Sequence, residues 1–243
     1  MGAKAVKRPA FYAPVGSKAG DLVAILHPPY TAWHLSHVVL GASIAPVFDG
    51  EILAGTLLAF FFGLGIGAHA LDELHGRPLR TSLGRTTLTG LGITGMVGAL
   101  AVAIVGAFVV SPWVLGWAAV GIALAVGYAL ERPRPLHTQL GFALAWGAFP
   151  TLVGYWAQTR TVALPAVLMA AATTLLSMAQ RALSTPARNL RRTVDFAAMV
   201  LERPDSTERW DEGTILGTWE TPLKLLTAAV IVLALGLLAV RLL

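Results

Sequence analysis

Apolar residues in this chain come in runs of about 20, separated by short polar or proline-marked breaks. Runs of that length match the hydrocarbon thickness of a bilayer, so the pattern predicts membrane-spanning helices. They fall at about 30–48, 52–74, 88–110 and 113–130, from the end of the 131–137 loop to about 156, and at about 162–182 and 222–242. Asp49-Gly50-Glu51 and Ser111-Pro112 read as tight turns, while 77–85 and 131–137 are charged, proline-containing loops. His27-Pro28-Pro29 marks a break, because proline cannot continue a helix but can begin one.

Two segments break the pattern. Residues 1–28 form a basic arm with one short apolar piece at 22–26. No signal-length apolar core follows Lys4, Lys7 and Arg8, so a cleavable signal peptide is not expected. At 186–202, Leu190, Val194, Ala197 and Leu201 form one stripe, and Arg188, Arg191, Arg192, Asp195 and Glu202 the opposite face. With Ser184-Thr185-Pro186 as a start signal, this predicts an amphipathic helix lying in the interface. An acidic loop over 205–220 would then lead to the last span.

The predicted fold is therefore an all-α polytopic transmembrane bundle of about seven spans, with an arm over 1–28 and one helical domain over 29–243. Composition agrees: 56% of the 243 residues are hydrophobic, only 13% are charged, and mean hydropathy is +0.68. Soluble domains carry roughly a quarter charged residues. The absence of cysteine removes disulfides and thiolate chemistry. Seven spans put sixteen of the 18 Lys and Arg residues on one side, leaving Arg160 and Arg241 opposite. The positive-inside rule then places the N-terminus in the cytosol and the C-terminus outside, and it explains a pI near 10.0 better than nucleic acid does.

Chemistry concentrates where the second predicted span turns polar. His69, Asp72 and Glu73 stand at i, i+3 and i+4 on one helix face. His34 and His37, at i and i+3, occupy the same depth on the antiparallel first span. If the faces meet, three imidazoles and two carboxylates could hold a divalent metal, Mg²⁺ or a transition metal. A hydrogen-bonded polar cluster is the plainer alternative. Arg77, Arg132, Arg134, Arg181 and Arg188 sit on the same side, where guanidinium forks could bind an anionic headgroup. Topology signalling alone would also account for them. Tyr128, Trp33, Trp146, Tyr155 and Trp156 read equally as packing or interfacial aromatics.

The order of these features resembles the UbiA family of intramembrane prenyltransferases. That family carries an NDxxDxxxD (or G) motif at the end of its second span. Here Ala68-His69-Ala70-Leu71-Asp72, then Gly76 and Arg77-Pro78-Leu79, stand in that place. Tyr128 to Pro135 followed by Leu140-Gly141-Phe142-Ala143 resembles the family's stretch before span five. The second aspartate-rich motif is replaced by Gln180-Arg181-Ala182-Leu183-Ser184, which holds no carboxylate.

The resemblance implies a cavity open to the cytosolic side and a prenyltransferase-type enzyme acting on an isoprenoid diphosphate or similar lipid. Asp72, Glu73 and His69 would be catalytic, and the arginines with Tyr128 would bind substrate. The alternative is a catalytically degenerate membrane subunit that binds a lipid, quinone, pigment or metal, with a protein partner or a second copy. An ion pathway has less support, because the polar groups cluster at one end instead of crossing the bilayer.

Overall fold

The computed structural model of the protein describes residues 8–13 and 17–243. Lys4 and Lys7 of the basic arm lie outside the described residues. Helix α1 (Lys18–Ile25) starts at Ser17, whose Oγ accepts from the Gly20 amide. Asp21 then accepts from both the amide and the hydroxyl of Ser82, at 2.8 and 2.6 Å, which ties α1 to the loop after α3. Helix α2 (Pro28–Ser43) begins on the predicted prolines, and α3 (Gly50–Gly76) follows the Asp49 cap. Next come α4 (Arg85–Val109) and α5 (Val114–Ala129), then a short 3₁₀ turn (Arg134–His137). Helices α6 (Gln139–Thr159) and α7 (Leu164–Thr193) precede a hairpin of β1 (Met199–Arg203) and β2 (Ser206–Trp210). Helix α8 (Glu212–Leu242) closes the chain.

Five of these helices, α3, α4, α6, α7 and α8, are long and apolar enough to cross a membrane. The protein is thus an all-α membrane protein with one small hairpin. The other two predicted spans are 16-residue helices, α2 and α5. At 1.5 Å per residue each is roughly 24 Å long, short of a ~30 Å hydrocarbon core.

Helix α2 is the centre of the bundle. Eleven of its residues are buried, including Trp33, His37, Val38 and Leu40. It packs against α8 on one side, where Val230 and Ala234 join Trp33, Val38 and Leu40 in one cluster. On the other side it meets α6 at backbone distance. A Cβ on Gly41 would lie 2.0 Å from the Thr151 carbonyl oxygen, and one on Gly154 would lie 2.2 Å from that of Val38. Small residues at both points let the helices touch, the usual packing device in lipid. At the far end of α2, Arg241 of α8 donates to the carbonyls of Ser43 and Ala45, which have no partners within α2.

The predicted interfacial helix over 186–202 is not formed. Helix α7 runs on through Pro186 to Thr193, because its buried face continues without a break: Gln180, Ser184, Ala187 and Leu190 follow at three- and four-residue spacing. Ala187 and Leu190 pack on Ile215 and Leu216 of α8, which offsets the hydrogen bond that proline removes. Residues 199–210 pair instead as the hairpin, turning at Pro204-Asp205, with Met199 opposite Trp210. The acidic stretch 205–220 is likewise not a loop. Its first half is β2 and its second half is the start of α8, where Asp211 accepts from the Thr214 amide at 2.8 Å. Arg191 and Glu220 fix α7 to α8 by a two-pronged ion pair at 2.5 and 2.8 Å.

Candidate functional site

Two buried long-range polar contacts in the bundle converge on one carbonyl. Residues Leu144–Ala148 of α6 form a π-helical segment. The Trp146 oxygen there accepts from His34 Nδ1 at 2.9 Å and from His37 Nδ1 at 3.1 Å. A carbonyl can only accept, so both imidazoles carry their proton on Nδ1. The widened turn exposes a backbone acceptor inside the bilayer, where an unpaired one costs several kcal/mol. The two histidines satisfy it. His34 and His37 are therefore committed to α6 and do not turn their donor atoms toward Asp72.

A second π-helical segment, Phe61–Ala68, lies in α3 just before the acidic stretch. His69 Nδ1 is 3.3 Å from the Gly65 oxygen of that segment. Its ring stacks on His27, with centroids 4.3 Å apart. Glu73 points away from all of these. Fully buried, it accepts from the Leu79 amide at 2.8 Å, the Thr81 amide at 2.8 Å and the Thr81 hydroxyl at 2.9 Å. It folds the 77–84 loop back under the end of α3. The expected five-residue metal set is thus not gathered. Among the described residues, no three His, Asp or Glu side chains come close enough to hold a metal ion.

Two of the five predicted arginines are also engaged by backbone. Arg77 donates to the carbonyls of Thr81 and Leu83, at 3.1 and 2.8 Å. Arg181 donates to the His137 carbonyl at 2.7 Å, reaches the Tyr128 hydroxyl at 3.5 Å and lies over the Phe142 ring. Tyr128 stacks on His137 at 4.4 Å and meets Trp146 edge-on. Arg132 and Arg134 are exposed in the loop before α6. Asp72 lies in the field of Arg192 and Arg188, which themselves donate to the Pro9 carbonyl at 3.2 Å and the Thr185 hydroxyl at 3.3 Å.

Tyr12 and His27, which sequence reasoning passed over, complete that end of the bundle. Tyr12 Oη and His27 Nδ1 are 2.6 Å apart. Burial, then Tyr30, pushes the Tyr12 phenol well above its ordinary value. Burial, then His69, Arg192 and Arg188, holds the His27 imidazole well below its own. Both groups are therefore neutral, and the phenol donates to the imidazole.

An aromatic-walled cavity lies elsewhere. It has a volume of about 370 Å³ and is enclosed by α3, α4, α5 and α6. Its mouth is at Asp49, Glu51 and Val110, and its floor is Leu64 and Trp146. It opens at the end opposite the arginines, not on the arginine-rich side as the sequence predicts. Its aromatic wall is Trp117, Phe149 and Trp156, with Trp117 5.9 and 5.7 Å from the other two. The floor belongs to a packed cluster of Leu64, Ala68, Ala125, Ala145 and Trp146, which separates the cavity from the histidines. A faint signal for this site exists in the chain. Trp117, Gly121 and Ala125 recur at four-residue spacing on α5, and Phe149, Val153 and Trp156 share a face of α6. Compared with known proteins, the chain matches no family model, no curated protein and no solved structure.

Proposed function

We propose that the protein is a membrane-embedded binding protein for an apolar, isoprenoid-like molecule of the lipid, quinone or pigment class. The cavity carries this reading: an aromatic-walled hollow inside the helix bundle, closed at mid-depth by Trp146 and open at one end. Sites for small apolar ligands have this form. At roughly 30 Å³ per small group, its volume admits about a dozen non-hydrogen atoms. In this reading the arginine-rich end faces the cytosol and the cavity mouth faces outward, following the positive-inside asymmetry.

The test is a geraniol titration of the protein in nanodiscs, read by tryptophan fluorescence because three tryptophans line the cavity. Wild type should show saturable binding, and Gly121→Leu, which puts a side chain into the hollow opposite Phe149, should weaken it at least about tenfold. Mass spectrometry of the lipid extract should find one co-purifying amphiphile, depleted in the variant. Absence of saturable binding in the wild type would refute the reading.

One observation favours prenyl transfer as a second reading: Asp72, Arg188 and Arg192 share a neighbourhood at the arginine-rich end. Cationic side chains there would stabilise a diphosphate leaving group. Incubation with labelled prenyl diphosphate and Mg²⁺ tests it, through diphosphate release that Asp72→Asn abolishes.

A further inference from the structure

The cavity's charge distribution says which end of an amphiphile it receives. Two carboxylates, Asp49 and Glu51, stand at the mouth, and among the described residues no Lys, Arg or His lines the cavity. Asp49 Oδ1 is occupied, accepting from the amides of Glu51 and Ile52 at 2.8 and 3.1 Å. Its backbone is also held, since its amide donates to Gln158 Oε1 and its carbonyl accepts from Gln158 Nε2. Glu51 is exposed and has no ion-pair partner among the described residues. Inside the mouth the walls are indole and phenyl rings, whose faces attract cations.

Among the described residues the cation close to the mouth is Arg160, whose Nε donates to the Val110 carbonyl at 2.8 Å. Arg160 is not among the lining residues. Arg241, at the same end, is committed to the carbonyls at the end of α2. An anionic headgroup would therefore meet a carboxylate at the mouth, and a neutral one would meet no charge complement.

We propose that the cavity takes an amphiphile with a cationic, ammonium-type head, the tail seated against Trp146 and the head held at Glu51. This rests on the reading that the cavity binds an apolar body, and names the chemistry of the head. A phosphate, sulfate or carboxylate head would be disfavoured at this mouth, which also separates the cavity's ligand from any diphosphate handled at the arginine-rich end.

The test uses three probes that share one tail, dodecylamine, dodecanol and dodecyl phosphate, each titrated below its micellar concentration into protein in neutral-lipid nanodiscs. Empty nanodiscs supply the partition control. The amine should bind about tenfold tighter than the alcohol, and the phosphate weakest. Glu51→Gln should reduce the amine's advantage by about fivefold, the upper range for an exposed ion pair, and leave the alcohol unchanged. Arg160→Gln should move amine binding the opposite way or not at all. Alcohol binding as tight as amine binding, or phosphate binding tightest, overturns this proposal and leaves the cavity reading standing. Failure of all three probes to bind overturns both.

Discussion

Glu73 gives the sharpest test of the local architecture. Its carboxylate is fully buried and accepts three hydrogen bonds, two from backbone amides and one from a hydroxyl, all at 2.8–2.9 Å. Glu73→Gln keeps the shape but turns one oxygen into an NH₂ group. Whichever oxygen is replaced, a donor then faces a donor: the Leu79 amide on one side, or the Thr81 amide and hydroxyl on the other. Hydrogen bonds to a charged group are worth about 1.5–3 kcal/mol each, and a buried donor left unpaired costs a further ~1–3 kcal/mol. The substitution should therefore destabilise the protein by about 2–4 kcal/mol. Asp72, its neighbour, is partly buried but accepts no hydrogen bond from the described residues, so Asp72→Asn should cost less than ~1 kcal/mol. The measurement is the midpoint of SDS-induced unfolding in mixed micelles, followed by far-UV circular dichroism, for both variants and wild type. A silent Glu73→Gln, or equal losses from the two variants, would refute the loop-anchor role and return Glu73 to the ligand-binding candidates.

Other expectations follow from the same geometry. Because His34 and His37 share the Trp146 carbonyl, either single substitution to Phe leaves that oxygen one donor, whereas the double variant strands it. The double-mutant cycle should show a coupling of about 1–2 kcal/mol by the same unfolding assay. Gly41→Ala and Gly154→Ala force α2 from α6 and should each cost more than ~2 kcal/mol, while Gly55→Ala, which meets nothing within 4 Å, should be near neutral. The His27 imidazole titrates well below its unfolded value near 6.5, so the unfolded chain binds its proton first as pH falls. Its contribution to stability is present above pH ~6.5 and is lost progressively below it. The thermal midpoint should fall between pH 7.5 and pH 5, and His27→Asn, which tolerates the φ of 44° at that position, should flatten the dependence.

The long apolar runs made the spans legible, and α3, α4, α6, α7 and α8 all cover the stretches where the hydropathy pattern puts them. What the pattern could not carry was local competition. Pro186 reads as a helix start, yet the buried face from Thr173 to Leu190 outweighs one lost hydrogen bond. Spacing put His34, His37, His69, Asp72 and Glu73 at one depth, and depth was right for most of them. Their directions depended on acceptors that only the fold creates, such as the Trp146 carbonyl freed by a π turn and the amides of the 77–84 loop. The cavity was hidden for a different reason: Trp117, Phe149 and Trp156 are ordinary bilayer residues until two helices bring them together.

The burial of α2 bears on how the chain enters the membrane. This 16-residue helix carries two histidines, a threonine and two serines, so it has little tendency to partition into hydrocarbon unaided. Its principal partners are the second half of α6 and the middle of α8, synthesised more than about a hundred residues later at ~5–20 residues per second. For several seconds the nascent α2 has only α3 for company, through the short Asp49 turn. The helical hairpin of α2 and α3 must therefore be held at the insertion machinery or the bilayer surface until the tryptophan-bearing turn of α6 arrives to receive its imidazoles.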